Sequence, residues 1–517
     1  MKRITLFLMA LCLSLQVLAG NFVMIDFENQ QDLRNLFNRQ DITIHYYNDN
    51  FVLATADEVT SDMMVLDENS FSSNKAYFIV YCAAADQQKY IEREKNNMEV
   101  LYGNDNILVV KPLNDELKPA KNDGMVAVTN DEARLAEARR DIPTITKESS
   151  DVKNFIEQVS IDNLTATVQY LENLENRYYN STQAYEASDW ILEQFEALNA
   201  DTEILEIEEF PFNIDDNPNN PSSPNIIAIQ YGTKYPDEYV ICGSHYDSYS
   251  ESGKCPGADD NATGVATVLE TARILSQYEF ERSIIYCTFS AEEIGMRGSM
   301  EYAKHCKNVM GFDIIGYFNN DMNGYLNPGD EIHIDLIYPN TAEALGNYYI
   351  NVASVYFPEM EVVRKDLTYG SSDHESFNNV GYMGIYPFED VDHISPYIHT
   401  GNDVIGPSVN SFEMSKRYTQ MNIASVAHMA VCDDGESVAE NTKGLVLVYP
   451  NPVKEVLTIT SDDNVMNEVQ IINTLGQVVK NFTFEGQAEV NVRDLESGIY
   501  FVKILSDEVI TEKIIVE

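Results

Sequence analysis

Between residues 151 and 435, short apolar runs alternate with amphipathic helical stretches, and several runs end directly in a polar, acidic motif. Tyr239-Val-Ile-Cys242 reads as a buried strand. Val265, Val268, Leu269, Ala272 and Leu275 recur at helical spacing on one face. Ile284 to Phe289 and Ile314 to Phe318 are the next strands. Strand-helix-strand order of this kind predicts an α/β fold with a mixed, mostly parallel sheet and helices on both faces. In such sheets sites form at the carboxyl ends of the strands, where the polar motifs stand.

This segment has companions on both sides. Residues 20–118 contain an internal repeat at an offset of 56 residues: Ile42 to Leu53 matches Met98 to Val109, and in both an Asn-Asp-Asn turn separates two β-prone runs. Phe22-Val-Met-Ile matches Phe78-Ile-Val-Tyr upstream, and helical stretches lie at Asp32–Phe37 and Gln88–Glu94. Each copy therefore reads as strand, helix, hairpin, and two copies predict a small α+β domain. Residues 119–150 read as a polar linker, with a helix over Asp131–Arg140 and a dibasic pair, Arg139-Arg140, that suits either a processing site or a solvated helix end. After a second linker at 436–445, residues 446–517 form short strands at close spacing, a β-sandwich pattern.

Residues 1–19 carry a basic start, an apolar run and a small-residue end, the plan of a secretory signal peptide. No later segment is apolar enough to insert into a membrane. Cys242 and Cys287 lie in core-like strands and read as buried small hydrophobes. The net charge of −49, from 34 basic and 83 acidic residues, disfavours nucleic acid and anionic membrane surfaces as partners.

The chemistry-bearing residues cluster at the strand ends. His245 follows the first strand in Ser-His245-Tyr-Asp247-Ser, a pattern that suits a metal ligand with a supporting carboxylate. Gly257-Ala-Asp259-Asp260-Asn261-Ala-Thr-Gly264 runs into the amphipathic helix, where Asp, Asn and Thr would equally serve as caps. Ser290-Ala-Glu292-Glu293-Ile-Gly295 places adjacent carboxylates past a strand, costly without a cation or proton between them. Such a pair can divide labour between metal ligation and general base catalysis. Asp321 follows the next strand, and His399 lies in a later loop. Each has an ordinary structural reading alone. Together, imidazoles and carboxylates at successive strand ends make a zinc-type donor set.

In these motifs, with Ser372-Asp373-His374-Glu-Ser-Phe and Ile398-His399-Thr, the segment from about 155 to 432 resembles the M28 family of zinc peptidases, especially bacterial secreted aminopeptidases of the leucyl type. The resemblance implies a zinc-exopeptidase type of fold and two zinc ions per chain. It implies His245 and Asp321 as ligands of one zinc, Glu293 and His399 as ligands of the other, and Asp260 as the bridge. It implies Glu292 as general base acting on a bridging water, and Asp247 as the residue orienting His245. It selects Asp260 over Asp259, implies a cis peptide at Asp260-Asn261, and leaves His374 near the substrate pocket. Residues 446–517, with Val-Tyr-Pro-Asn-Pro-Val and Leu495-Glu-Ser-Gly-Ile-Tyr-Phe-Val, resemble the C-terminal sorting domain of the type IX secretion system.

The implied protein is a secreted or cell-surface aminopeptidase, exported through the periplasm and engaged by the type IX machinery. Its substrates are peptides with a free amino terminus. Residues 20–118 then read as a propeptide that assists folding or covers the site, or as a retained binding domain. A single-zinc glutaminyl cyclase and a non-enzymatic surface binding protein are the competing readings. Residues 141–444 carry 15 basic and 50 acidic residues, a net −35, so most of the charge belongs to the catalytic segment. An acidic rim attracts a cationic amino terminus, and salt screens that attraction. KM for aminoacyl substrates should therefore rise with ionic strength; a KM that is flat between low and high salt contradicts this steering.

Overall fold

The computed structural model describes residues 20–431, apart from 69, 72–75, 115, 120–123, 137–141, 251–252 and 369, together with the strands and some adjoining residues of 447–516. The predicted signal peptide, the Arg139-Arg140 pair and the 436–445 linker lie outside the described residues. The chain divides into two units, residues 1–439 and 440–517.

The repeat becomes two sheets of the same topology. The first comprises β1 (Asn21–Asp26), β2 (Ile42–Tyr47), β3 (Phe51–Ala56) and β4 (Met64–Asp67), with helix α1 (Gln30–Phe37), in the order β2-β3-β1-β4. The second comprises β5 (Tyr77–Tyr81), β6 (Met98–Gly103), β7 (Ile107–Pro112) and β8 (Met125–Val128), with α2 (Ala84–Glu94), in the order β6-β7-β5-β8. In both Asn-Asp-Asn turns the first asparagine side chain accepts the amides two and three residues on, Asn48 from Asn50 and Phe51, Asn104 from Asn106 and Ile107. This Asx geometry closes the hairpin locally. Each sheet also gains a fourth strand that the repeat pattern does not announce. The fourth strand of the second sheet, β8, falls within 119–150, where its four residues are buried against β5 and not exposed as in a linker. Asp131–Ala136 is not helical: Arg134 instead bridges to Val380 of the catalytic segment.

The catalytic segment opens with α3 (Ser150–Glu157), α4 (Ile161–Asn173) and α5 (Thr182–Thr202). Its sheet consists of β9 (Leu205–Phe210), β10 (Asn225–Gln230), β11 (Tyr235–His245), β12 (Arg282–Phe289), β13 (Asp313–Asn319), β14 (Ile334–Ile337), β15 (Val362–Arg364) and β16 (Gly384–Phe388). The order is β15-β14-β16-β13-β11-β12-β10-β9. The central neighbours β16, β13, β11 and β12 are parallel, while β10 and β14 join antiparallel on either side. The interposed helices are α6 (Thr263–Leu275), α7 (Arg297–Lys304), α8 (Glu343–Tyr356), α9 (His374–Asn379) and α10 (Phe412–Ala430). Helices α3, α4, α5 and α10 each start at a serine whose hydroxyl accepts a first-turn amide.

Along β11, Val240 and Cys242 face one core with α6, α8 and α10, while Tyr239 and Ile241 face the other with α7 and α9. The sheet is thus covered on both sides, and the apolar runs in the sequence are continuous because both faces are buried. Cys242, Cys255, Cys287 and Cys306 are buried free thiols.

In the second unit, strands Leu447–Tyr449, Val456–Thr460 and Gln487–Asn491 form one sheet. Strands Asn467–Asn473, Val478–Phe484, Gly498–Leu505 and Val509–Val516 form the other. Leu457, Ile459 and Val490 of the first share a core with Val469, Ile471, Val502 and Ile504 of the second, which makes it a β-sandwich.

One buried cation organises the ground beneath the strand ends. Arg177 is completely buried and donates to the carbonyls of Leu171, Tyr246, Pro256 and Gly257. It thereby ties the end of α4 to the turns on either side of the site. Arg177→Met leaves those carbonyls unpaired and should lower stability by about 3 kcal/mol; chemical unfolding within 1 kcal/mol of the parent contradicts this account.

Candidate metal centre

The parallel strands deliver the polar motifs to one edge. His245 is the last residue of β11, Glu292 and Glu293 follow the end of β12, and Asp321 follows β13. Asp260 lies in the turn before α6, and His399 in the loop after β16. Gly264, in the first turn of α6, permits this approach: a Cβ there would stand 2.2 Å from the Asn320 carbonyl oxygen. The Asp260-Asn261 peptide is cis, as the resemblance implies.

The side chains converge as two groups that share one carboxylate. His245 Nε2 lies 3.3 Å from Asp260 Oδ1 and 3.4 Å from Asp321 Oδ1. His399 Nε2 lies 3.2 Å from Asp260 Oδ2 and 2.9 Å from Glu293 Oε2. All five residues are buried. Nε2 of His245, Oδ1 of Asp321 and Oε1 of Glu293 have no hydrogen-bond partner. Buried polar atoms left in this state are costly unless something else satisfies them. Two imidazoles and three carboxylates facing one another across these distances are a donor set that fits zinc.

The electrostatics agree. Burial opposes protonation of His245, but Asp321, Glu292, Asp247 and Asp260 outweigh it and raise its pKa well above the ordinary value. His399 is raised in the same way, by Glu293 and Asp260 against burial. Asp260, despite burial, is held below the usual carboxylate range by the two imidazoles. Burial pushes Glu293 up to about 7 against the pull of His399. Glu292 is raised well above its usual value, chiefly by burial and then, against His245, by Asp373, Glu293 and Asp321. Carboxylates here outnumber the cationic groups, and a multivalent cation would reverse these shifts.

Supporting residues fix the candidate ligands. Asp247 contacts both the β11 and the β12 motifs. Its backbone carbonyl lies 3.1 Å from His245 Nδ1, and its carboxylate accepts the amides of Glu292 at 3.1 Å and Glu293 at 3.3 Å. The same residue thus joins the β11 and β12 motifs. Ser372 donates to Asp321 Oδ2 at 2.6 Å and receives Asn319 Nδ2 at 2.7 Å.

Asp259 turns away from the histidines, accepting the Gly324 amide at 2.9 Å beside Glu389. His374 is also outside the cluster: it is buried, its ring stands 5.4 Å from Tyr386, and burial lowers its pKa to about 3.

Sequence reasoning did not assign Asp403 or Arg177. Asp403 accepts the amides of Asp259 and Asp260 at 2.9 and 3.1 Å and so holds the turn that presents Asp260. It stands in the same loop motif as His399, which was the available signal. Arg177 sits in no motif.

Comparison with known proteins agrees with this geometry. Residues 225–418 match the model of peptidase family M28, and residues 447–517 match that of the secretion system C-terminal sorting domain. A probable leucine aminopeptidase of Arthroderma otae is 29% identical over 276 residues, spanning 51% of this chain and 71% of that protein. LapB of Legionella pneumophila shares the fold with a TM-score of 0.56 at 21% identity, over 69% of this chain and 99% of LapB. The LapA aminopeptidase of the same organism matches at 0.57 and 18% identity, over 69% of this chain and 98% of LapA. Residues 225–418 thus carry a peptidase family M28 domain and residues 447–517 a secretion-system C-terminal sorting domain, and the M28 match together with the leucine aminopeptidase relatives supports a zinc metallopeptidase.

Proposed function

We propose that the chain is an exported aminopeptidase that holds two zinc ions. His245 and Asp321 would hold one, Glu293 and His399 the other, with Asp260 shared. The observation that carries this is the carboxylate of Asp260, one oxygen of which faces His245 while the other faces His399. When bound, the metals supply Lewis acidity toward the scissile carbonyl and acidify a water.

The remaining chemistry belongs to the chain. Glu292 takes the proton from the attacking water and returns it to the leaving nitrogen. Burial and negative neighbours raise its pKa, the direction a general base working near neutrality needs. Asp247 holds the Glu292 amide, and therefore the reach of that carboxylate, against the His245 turn. The matched sorting domain supports export through the type IX system to the cell surface or beyond.

Glu292→Gln should retain two zinc per chain and lose roughly 10²–10⁴-fold in kcat. Near-normal kcat in that variant removes Glu292 from the mechanism. Metal analysis of the purified protein should return two zinc per chain; one per chain would favour a cyclase-type transferase over a co-catalytic hydrolase.

A further inference from the structure

A second group of donor side chains lies outside the candidate metal centre, where the end of β16 meets β14. Asp335 of β14 stands opposite Phe388 of β16, so the loop that follows β16 leaves beside it. The Tyr418 hydroxyl stands 2.8 Å from the carbonyl oxygens of both His333 and Phe388 and holds the two segments together from α10. In this corner the ligating atoms of His333, Asp335 and Asp390 all lie within 4.8 Å of one another.

Two features set this group apart from an ordinary acidic surface. The first is burial: Asp335 is 2% exposed and Asp390 6%. The Val391 amide donates to Asp335 Oδ2 at 2.9 Å, and among the described residues no hydrogen bond reaches Asp335 Oδ1. A buried carboxylate oxygen left in that state is costly. Burial accordingly raises the Asp335 pKa, against the Val391 amide and Lys365. Lys365 is itself engaged with Asp392 at 3.0 Å.

The second feature is the state of the imidazole. The Glu331 carbonyl lies 3.0 Å from His333 Nδ1 and accepts the proton there, so Nε2 keeps its lone pair, as a metal ligand requires. Asp390 is held in place from its own loop. Its Oδ1 accepts the amides of Asp392 and His393 at 2.8 and 3.0 Å, and its Oδ2 lies 2.9 Å from His393 Nδ1. A carboxylate has about four lone-pair sites, so these bonds leave room for a cation.

We propose that His333, Asp335 and Asp390 bind a divalent transition-metal ion that pins the loop after β16. An imidazole with two carboxylates suits a zinc-type ion, whereas calcium takes oxygen ligands. The pinned loop continues to Ile394 and Ile398, which line the cavity at the candidate metal centre, and to His399. The ion would thus steady the segment that presents His399. His333 is only partly buried, so this ion exchanges with solvent and is lost on gel filtration, while the buried centre stays filled. The site stands on its own donors and does not depend on the peptidase reading.

The test uses the zinc-loaded, gel-filtered full chain, its D335N and H333A variants, and H305A as a histidine control. Each is dialysed to equilibrium against micromolar zinc, with and without millimolar calcium. Zinc per chain is measured before and after, and hydrogen exchange is followed in the peptide spanning 389–399. The parent and H305A should each take up one further zinc per chain, unaffected by calcium, and exchange in 389–399 should slow at least threefold. D335N and H333A should lose the further uptake and the slowing. No further uptake by the parent, uptake that persists in H333A, or displacement by calcium overturns the site, whether or not D335N folds. Uptake without slower exchange overturns the pinning role.

Discussion

A buried excess of carboxylate charge at the ends of four parallel strands is the constraint to which the rest of the catalytic unit answers. Asp247, Asp260, Glu293 and Asp321 are all less than a tenth exposed, and among the described residues His245 and His399 stand directly among them as potential cations. Isolated buried carboxylates are among the most expensive groups a fold can carry. Every supporting feature lowers that cost. Asp403 and Asp247 are neutralised in part by backbone amides, Ser372 donates to Asp321, and Arg177 lies fully buried beneath the same turns. A bound multivalent cation would offset the charge that remains.

The loop from Ala291 to Met300 links that site to the rest of the unit. It carries Glu292 and Glu293, the proposed general base and one proposed metal ligand, and their amides are held by Asp247. Its apolar side chains are equally part of the repeat domain's two cores. Chemistry and domain docking therefore compete for one short segment.

Much of the site was legible because its residues are adjacent to strong local signals. His245, Glu292, Glu293 and Asp321 each follow an apolar run that could only be a buried strand, and parallel strands must present their carboxyl ends on one edge. The two Asn-Asp-Asn turns likewise announced the hairpins of the repeat. What was not legible depends on partners distant in sequence. Strand β8 is four residues in a polar stretch and becomes a strand only because β5 offers an open edge. Asp131–Ala136 has the composition of a helix, yet its backbone is taken by Ile44 and Asn379 through the amides of Ala133 and Arg134.

The sequence by itself determined the α/β class, the repeat and the sandwich pattern and offered a set of candidate donor residues, since periodicity, turn chemistry and residue type are local properties. Residue type and spacing leave Asp259 and Asp260 equivalent; the family resemblance favours Asp260, and the tertiary structure shows that it and not Asp259 faces both histidines. The two are chemically identical neighbours, and they are told apart by Gly324 in the loop after β13 and by Glu389 and Asp403 in the loop after β16. The tertiary structure also decided that residues 124–125 line the same cavity as the candidate ligands, because that position follows from long-range packing and leaves no mark on the local pattern.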